Sequence, residues 1–414
     1  VSQLITAFTE VQAQVHCLTV LSLRGPTQFS RSTMGNQSGR QQIDTDIKEA
    51  LDKNDQDLAV AKMQEYLDKR QIVPLNIAVT GQSGSGKSSF VNAIRGIDNK
   101  DEKAAPTGCV ETTMEVTPYP HPIYPNVTIW DLPGIGSIKY PTAKYLKKVG
   151  FKKFDFFIIS ADCFRENDVK LAKDIQKMKF YFIRSKIDDN IRNEKRSQKE
   201  FNEERTLTQI RSNCLQDLRL QSPQVFLVSS FDLKLYDFPL LVETLKEELP
   251  ELKKDAFLLA MPNISLDLIK EKKKAFQAKV KYWAILSAAV AGVPVPGVSM
   301  AQYVYKFGLD IKSLQSLANR AGVPLKELKE ATISPLTATQ VTPPIVMKVF
   351  AQSPNQITLK AVEEGTRFIP VFGIPTAMAL SYITTYRGLN TFLDMLAEDA
   401  HRVFKKAMGL KPPM

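Results

Sequence analysis

An eight-residue segment in the first quarter of the chain has the residue types and spacing that bind phosphate. Residues 81–88 read G-Q-S-G-S-G-K-S and match G-x-x-x-x-G-K-[ST] at every fixed position. The glycines let backbone N–H groups curl around phosphate oxygens, and the start of a helix adds partial positive charge. We expect Lys87 to reach the β- and γ-phosphates and the Ser88 hydroxyl to bind Mg²⁺. The nucleotide-binding residues predicted in this segment are Gly81, Ser83, Gly84, Ser85, Gly86, Lys87, Ser88 and Ser89.

A second motif, D-L-P-G at residues 131–134, follows a predicted strand. In P-loop proteins a carboxylate at the end of a neighbouring strand holds the metal through water, which is the role expected of Asp131. Gly134 can offer its N–H to the γ-phosphate. Ile135 stands where many small GTPases carry a glutamine that orients the attacking water. Because that glutamine is missing, the sequence predicts slow basal hydrolysis.

A third motif, S-K-I-D at residues 185–188, selects the base. In the [N/T]-K-x-D motif of GTPases the carboxylate, here Asp188, accepts hydrogens from guanine N1–H and the 2-amino group, which adenine cannot supply. The stem of Lys186 lies over the base, and Ser185 replaces the usual Asn or Thr but keeps a hydroxyl. Ser229 is expected to close the base pocket. The chain would be an ATPase only if Asp188 did not touch the base.

The segment T-G-C-V-E-T-T at residues 107–113 lies where a switch loop is expected. A switch loop needs a threonine that reaches Mg²⁺ and the γ-phosphate. Thr107, Thr112 and Thr113 all qualify, and spacing does not choose among them. We assign Thr113 as the metal ligand, and with Lys87 and Gly134 it enters the predicted catalytic set.

Alternating strand and helix patterns over residues 72–250 position these motifs. Such alternation is typical of an α/β domain with a mainly parallel sheet covered on both faces. A helix is expected at Ser85–Ile94, beginning at the glycine-rich turn. The predicted strands are Pro74–Thr80, Asn126–Trp130, Phe154–Ile159, Phe180–Arg184 and Val225–Val228.

The flanking segments have a different character. Residues 1–42 are polar and are predicted to be a disordered or leader segment. Residues 43–71 and 251–410 carry helical patterns, with a last helix at Leu389–Ala407, and 411–414 form a tail. If Met34 were a start, Gly35 would be exposed for myristoylation, but the position that needs Ser or Thr holds Gly39.

Charge and cysteine content limit the partners and the compartment. The net charge is +11 and the pI about 9.2, which favours anionic partners or simply reflects a solvated basic surface. Base-reading motifs and interleaved aromatic residues are missing from the sequence, so nucleic acid is not expected as a partner. The four cysteines are far apart, without a C-x-x-C pair, which favours a reducing compartment such as the cytoplasm.

Two uncharged runs raise the question of membrane contact. The run Tyr282–Tyr305 is long enough to cross a bilayer, but G-V-P-V-P-G at 292–297 should break it into two helices. The same argument applies to Phe368–Tyr386, which contains Pro370, Gly373 and Pro375. We expect both runs in the core of a helical domain, with reversible membrane docking as the alternative. The basic stretch Lys270–Lys281 suits an anionic membrane surface, at about 1 kcal/mol per charge, or a solvated helix face.

Several segments together carry a family likeness. They are G-S-G-K-S-S-F at 84–90, A-I-R-G-I at 93–97, T-G at 107–108, T-M-E at 113–115, W-D-L-P-G-I-G at 130–136, D-F-F-I-I at 155–159, F-Y-F-I-R at 180–184, Y-D-F-P at 236–239 and P-N-I at 262–264. The chain therefore resembles the interferon-inducible immunity-related GTPases, strongly over residues 74–250 and more loosely over the rest of 43–410. Lys87 in the G-K-S sequence resembles the GKS, effector-type group, whereas Ser185 departs from the family's threonine.

The resemblance implies a Ras-like domain flanked by N- and C-terminal helices that pack as one helical domain. It implies Mg²⁺-dependent hydrolysis of GTP to GDP and phosphate, promoted by GTP-dependent self-assembly through the nucleotide-binding faces. Glu111 occupies the position of a family glutamate linked to catalysis across the dimer. The implied setting is interferon-induced immunity in the cytoplasm, at the surface of the endoplasmic reticulum, the Golgi or pathogen vacuoles, with related GTPases as further partners.

A function of another class also fits the motifs. The chain would then be a nucleotide-gated binding module that hydrolyses negligibly and regulates partner GTPases. Both functions need the same phosphate and base contacts, so the motifs alone do not separate them.

Overall fold

A computed structural model describes most of the chain between residues 73 and 409. The described residues are 46, 49, 58, 61, 62, 65, 73–108, 113, 115–136, 140–141, 144–175, 179–220, 223–289, 307, 309, 311–333 and 373–409. The chain divides into two compact units. The unit that we call the sheet unit comprises residues 73–268, 312–328 and 404–414, and the helical unit comprises 1–72, 269–311 and 329–403. The domain limits drawn from the sequence stay predictions.

One six-stranded sheet lies at the centre of the sheet unit, in the order β2-β3-β1-β4-β5-β6. The strands β1, β3, β4, β5 and β6 are mutually parallel, and β2 pairs antiparallel with β3. The five predicted strands are confirmed, with ends that differ by at most two residues. The strands are β1 Leu75–Thr80, β2 Thr117–Pro120, β3 Val127–Asp131, β4 Phe156–Ala161, β5 Phe180–Arg184 and β6 Val225–Leu227.

The edge strand β2 was not predicted, and its sequence T-P-Y-P explains why. Pro118 pairs with Trp130 and Pro120 with Thr128. Proline has no N–H to donate, so it is tolerated in a sheet only where that side of the strand needs no partner, as at an edge. A strand built around two prolines gives no alternating apolar signal, although Tyr119 and the neighbouring positions alternate in exposure.

The parallel strands are covered on both faces, as their composition predicts. All six residues of β4 are buried, which is typical of a strand between two layers of helices. Phe157 and Phe182, on neighbouring strands, lie in one large buried cluster with Tyr145. The helices are α1 Lys87–Ile94, α2 Tyr145–Val149, α3 Glu166–Asp174, α4 Ile187–Ser197, α5 Glu203–Leu218, α6 Phe238–Glu248 and α7 Glu251–Ala260, with a 3₁₀ turn at Phe151–Lys153.

After α7 the described chain is helical, as predicted. The helices are α8 Leu266–Ala289, α9 Ile311–Ala321, α10 Leu325–Glu330 and α11 Gly373–Ala407. The described residues between 46 and 65 are also helical, so the helical unit joins helical segments from both ends of the chain. The predicted fold class, a P-loop α/β domain with an added all-α part, is confirmed.

The last helix is longer than the sequence predicted. Pro375 was expected to break the second uncharged run, but α11 begins at Gly373 and continues through it. Pro375 lies in the first turn, where a missing N–H costs no helical hydrogen bond. The predicted apolar stripe of this helix is buried, at Leu389, Leu393, Leu396, Ala400 and Val403.

The structure describes only part of the segments for which membrane contact was considered. The glycine- and proline-rich turn at 292–297 and Pro370 lie outside the described residues, as do Gly35 and residues 1–42. Within the described part of the chain, no helix combines the length and the apolar character needed to span a bilayer.

Candidate nucleotide-binding site

The phosphate-binding segment forms a tight turn between β1 and α1, and two glycines make that turn possible. Gly81 has φ 137°, and a Cβ added there would lie 1.9 Å from the backbone oxygen of Ser160 in β4. Gly86 has φ 80°, in the left-handed region, and immediately precedes α1. L side chains rarely adopt either conformation. The helix therefore begins at Lys87 rather than at the predicted Ser85.

This turn opens onto a cavity of about 140 Å³. Each of the three motifs and the switch segment contributes at least one residue to the described lining, whereas Ser229 is not part of that lining. The described residues that line the cavity offer hydroxyl groups, glycine backbone and two lysine side chains. None of them is a glutamine, glutamate or aspartate. The lining residues are Ser83, Gly84, Gly86, Lys87, Ser88, Ser89, Thr107, Gly108, Thr113, Gly134 and Lys186. The cavity is thus polar and basic, as a phosphate chain requires.

Lys87 is buried, and its ammonium is held at the edge of the turn. Its Nζ donates to the backbone oxygen of Gln82 at 2.8 Å. Holding the ammonium in this way keeps a positive charge beside the cavity and limits the rotamers that the long side chain can adopt. This position fits the predicted role of Lys87 at the β- and γ-phosphates.

Three oxygen-bearing side chains meet at the predicted metal position. The Oγ of Ser88 and the Oγ1 of Thr113 both donate to Asp131 Oδ2, at 2.6 Å and 2.8 Å, and lie 3.3 Å apart. Of the two candidate threonines that the structure describes, Thr113 is the one that joins this cluster. Thr107 also lines the cavity, whereas Thr112 lies outside the described residues.

The cluster fits Mg²⁺, which prefers hard oxygen ligands and is commonly held by one or two carboxylates together with phosphate oxygens and water. Asp131 Oδ1 is buried without a hydrogen-bond partner among the described residues. Burial raises the pKa of Asp131, while hydrogen bonds from Ser88 and Thr113 and the charge of Lys87 oppose that rise. A cation nearby would compensate for the burial of this charge. In the described part of the chain no group of three His, Cys, Asp or Glu residues is placed to hold a metal.

The base motif lies at the start of α4. Lys186 has φ 59° and turns the chain so that Asp188 falls in the first turn of the helix. Asp188 Oδ1 is buried and has no hydrogen-bond partner among the described residues, and Oδ2 lies 3.6 Å from Arg192 Nη2. Buried acceptors are normally paired, so this oxygen fits a donor from guanine. Lys186 Nζ lies 3.9 Å from Asp162 Oδ2.

Ser185 serves the site by joining two of its loops. Its Oγ lies 2.7 Å from the backbone oxygen of Ser85 and 3.1 Å from that of Ala161, and its single hydrogen is shared between them. Ser160 Oγ donates to the same Ser85 oxygen at 2.9 Å. Since a hydroxyl is sufficient for this contact, the structure gives a reason why serine can replace the usual Asn or Thr.

The last predicted base residue also acts on the backbone. Ser229 is buried, and its Oγ accepts from the N–H groups of Phe231 and Asp232 at 3.1 Å and 3.2 Å. These contacts shape the loop that follows β6. Ser229 therefore fits a role in forming this loop.

Tyr145, a buried residue that sequence reasoning missed, fixes the loop that follows Asp131. The hydroxyl of Tyr145 donates to the backbone oxygen of Pro133 at 2.9 Å and lies 2.6 Å from Thr80 Oγ1. Tyr145 is fully buried, and burial raises its pKa. Ile135 is also buried, in the same apolar cluster, so it cannot present a polar group to a water molecule. Glu111 lies outside the described residues.

A second group that sequence reasoning missed lies on the other side of the phosphate-binding turn. The side chain of Gln82 contacts Arg165 and Asp168 at the start of α3. Gln82 occupies a variable position of the P-loop motif, so the motif gives no signal for it. The only local signal is the acidic residue at the third position of a helix, which is typical of N-terminal capping.

Comparison with known proteins identifies the family. A family model described as "Interferon-inducible GTPase (IIGP)" matches residues 40–407. The chain belongs to this family. It is 39% identical to Interferon-inducible GTPase 5 of Rattus norvegicus over 87% of this chain and 82% of the relative. It is 36% identical to Interferon-gamma-inducible GTPase 10 of Mus musculus over 88% and 89% of the two chains, and 36% identical to Interferon-inducible GTPase 1 of Mus musculus over 91% and 93%.

Family membership confirms the central predictions from the sequence. The chain is a GTP-binding, GTP-hydrolysing enzyme and one of the GTPases of interferon-induced immunity. A solved structure of a probable GTP-binding protein, engB, is 13% identical over 42% of this chain and 97% of its own, with a TM-score of 0.28, a likeness too low to carry an argument.

Proposed function

We propose that this GTPase is a Mg²⁺-dependent enzyme whose efficient hydrolysis of GTP requires a second molecule of the same chain. The observation that carries the proposal is the composition of the phosphate cavity. Its described lining offers hydroxyls, lysines and backbone, but no carboxylate or amide side chain to orient water. Ile135, at the position of the usual glutamine, is buried in the apolar core. The group that orients the attacking water must therefore come from outside this lining.

The residues of the cavity divide the remaining work among them. Lys87 neutralises charge on the β- and γ-phosphates, and Gly134 offers its N–H near the γ-phosphate. Ser88, Thr113 and Asp131 would hold Mg²⁺, which when bound supplies positive charge to the phosphate oxygens during transfer. Asp188 selects guanine, and Lys186 covers the base. These groups bind and orient GTP, while none of them activates water.

Glu111 is the residue that we propose to act across the dimer, because the family resemblance places a catalytic glutamate at its position. A carboxylate contributed at an interface can orient water that the cavity of a single molecule leaves unoriented. Self-assembly would then be coupled to GTP, since Thr113 of the switch segment bonds to Asp131 in the cluster that would hold Mg²⁺ beside GTP.

The size of the particle in solution tests self-assembly. Protein loaded with GDP should remain small, and protein loaded with a non-hydrolysable GTP analogue should form larger species as its concentration rises, as measured by sedimentation or light scattering. Lys87→Ala is the control that should stay small in both cases. Equal size with both nucleotides at every concentration would contradict the proposal.

The alternative function, a nucleotide-gated module with negligible hydrolysis, makes a different prediction for Glu111→Ala. If the chain is a self-activated enzyme, this variant keeps nucleotide affinity and loses turnover, whereas Glu102→Ala, at an exposed position, keeps both. Negligible phosphate release by the unaltered protein at high concentration would favour the regulatory module.

We further propose that the enzyme works in the cytoplasm, peripherally attached to intracellular membranes such as the endoplasmic reticulum, the Golgi or a pathogen vacuole. Fewer lysines of the basic stretch Lys270–Lys281 are exposed than the sequence indicated. Lys270 and Lys274 are exposed, but Lys272 and Lys279 are buried, and burial lowers the pKa of Lys272 to about 7. Lys273 pairs with Asp394 at 2.7 Å. Only part of the basic stretch can therefore face a membrane.

Flotation with liposomes tests the membrane proposal. Vesicles that contain anionic lipid should bring the protein to the top of a gradient, and neutral vesicles should not. Replacing Lys270 and Lys274 by Gln should reduce flotation, because each charge near an anionic surface contributes about 1 kcal/mol. Flotation that is equal with and without anionic lipid would contradict the electrostatic part of the proposal.

A further inference from the structure

Both polar atoms of the side-chain amide of Gln82, the second residue of the phosphate-binding turn, contact residues at the N-terminus of α3. Gln82 Oε1 accepts from Arg165 Nη1 at 2.8 Å, and Gln82 Nε2 donates to Asp168 Oδ2 at 3.4 Å. The same carboxylate oxygen accepts from the backbone N–H of Arg165 at 3.0 Å. These three residues form what we call the Gln82 clamp.

The clamp is directly connected to the lysine that binds phosphate. The backbone oxygen of Gln82 accepts from Lys87 Nζ at 2.8 Å. The side chain of Gln82 therefore fixes the residue whose carbonyl oxygen fixes Lys87. We propose that Arg165 and Asp168 are positioning residues, which act through Gln82 to hold the Lys87 ammonium where it meets the β- and γ-phosphates. The proposal rests on GTP binding at the P-loop and not on self-assembly.

The burial of Asp168 shows that its charge is maintained at a cost. The residue is fully buried, and its Oδ1 has no hydrogen-bond partner among the described residues. Burial raises its pKa to about 6, against the opposing effects of the Arg165 N–H, the Gln82 amide and the charges of Arg165 and Lys87. Those are the groups that face the carboxylate from α3 and from the P-loop. A carboxylate that is neutral only below about pH 6 is ionised at neutral pH, where it accepts both hydrogen bonds.

A simpler role for Asp168 is to cap α3. It is the third residue of the helix and accepts from the N–H before the first turn, as capping carboxylates do. The two roles differ in their effect on nucleotide affinity, because a cap does not act on the P-loop. Because the pKa of the folded state is raised, the carboxylate contributes stability below about pH 4, where it is protonated in both states, and that stability is lost as the pH rises through about 6. This pH dependence holds for either role, so nucleotide affinity is the property that separates them.

Two variants, alone and together, test the clamp. Asp168→Asn removes the charge at constant volume, and Gln82→Met removes both side-chain hydrogen bonds at similar length. Affinity for a fluorescent GTP analogue and the Tm are measured in dilute protein at pH 7.5. Each variant should lower affinity about tenfold, which corresponds to about 1.4 kcal/mol. The double variant should lose little more than either single one, because Asp168→Asn weakens the connection that Gln82→Met removes.

The pH dependence of affinity gives a readout that a cap alone would not. At pH 7.5 the Tm of Asp168→Asn should equal or exceed that of the unaltered protein, since a buried charge has been removed. The affinity of the unaltered protein should fall more steeply than that of Asp168→Asn between pH 7.5 and pH 5. Asp174→Asn, an exposed position on the same helix, is the matched control and should change neither affinity nor pH dependence.

The results that would overturn the clamp are separate from those that would overturn self-activation. A lower Tm of Asp168→Asn with affinity within twofold of the unaltered protein would make Asp168 a cap and nothing more. Additive losses in the double variant would mean that Gln82 and Asp168 act independently. If Asp168→Asn does not fold, unchanged affinity of Gln82→Met still refutes the proposal. All of these measurements are made on dilute protein, whereas self-activation is judged by turnover at rising concentration.

Discussion

Replacing Gly81 by alanine is the most direct way to displace the phosphate-binding turn. The new Cβ would lie 1.9 Å from the backbone oxygen of Ser160, whereas ordinary contacts begin at 3.4 Å. Since a strand oxygen cannot rotate away as a flexible side chain can, the turn and β4 must separate by about 1.5 Å. A φ of 137° adds strain that an L residue cannot relieve in place.

The expected effect of Gly81→Ala on binding follows from that displacement. A misplacement of about 1 Å in a positioned site can cost about 100-fold. We therefore expect the affinity for GDP and GTP analogues to fall at least about 100-fold, which is about 2.7 kcal/mol. Moving the turn would also break the hydrogen bond from Ser160 Oγ to the Ser85 oxygen, which is 2.9 Å long.

The assay is titration of a fluorescent guanine nucleotide, with thermal unfolding measured in parallel. Gly150→Ala is the matched control, because Gly150 also has a positive φ, 68°, but a Cβ there would meet nothing within 4 Å. It should lose about 1–2 kcal/mol of stability and keep its affinity. If Gly81→Ala binds nucleotide as tightly as Gly150→Ala, the close approach of the turn to β4 does not position the site.

Three further predictions concern single side chains of the site. Asp188→Asn should lower GTP affinity about 10- to 100-fold and reduce the preference for GTP over ATP in competition, because a charge-assisted acceptor for guanine is lost. An unchanged preference would mean that Asp188 does not contact the base. Ser185→Ala should weaken nucleotide binding about fivefold and Ser185→Thr should restore it, since a typical hydrogen bond contributes about 1 kcal/mol; equal affinity of all three would remove its loop-joining role. Lowering the pH should raise the Mg²⁺ concentration needed for GTP binding, because the pKa of Asp131 is raised by burial and protonation competes with the cation; a Mg²⁺ requirement independent of pH would contradict this.

Sequence reasoning predicted those parts of the candidate site that lie in short motifs. Spacing within a short motif identifies the glycines of the turn, Asp131 and Asp188. The parallel strands were equally visible, because strands buried on both faces are continuous apolar runs. Among the three switch threonines, spacing gave no ranking, and only the geometry around Asp131 brings Thr113 to the cluster.

What sequence reasoning missed depends on contacts between distant residues. Gln82 meets Asp168 across 86 positions of the chain, and Tyr145 of α2 meets Thr80 of β1 across 65 positions. Such contacts follow from how the strands and helices pack, which no local pattern encodes. The basic stretch Lys270–Lys281 is a further example, because a sequence pattern does not distinguish an exposed lysine from a buried one. Lys272 and Lys279 are buried by packing.

The measurement that tests the central claim most directly is phosphate release from GTP as a function of protein concentration, at saturating GTP and Mg²⁺. Lys87→Ala serves as the blank for contaminating hydrolysis. We predict that turnover per molecule is low in dilute protein and climbs as the concentration rises, because the described lining of the cavity holds no carboxylate or amide side chain that could orient water. Turnover per molecule that stays constant across a wide range of concentration would contradict activation by a second molecule.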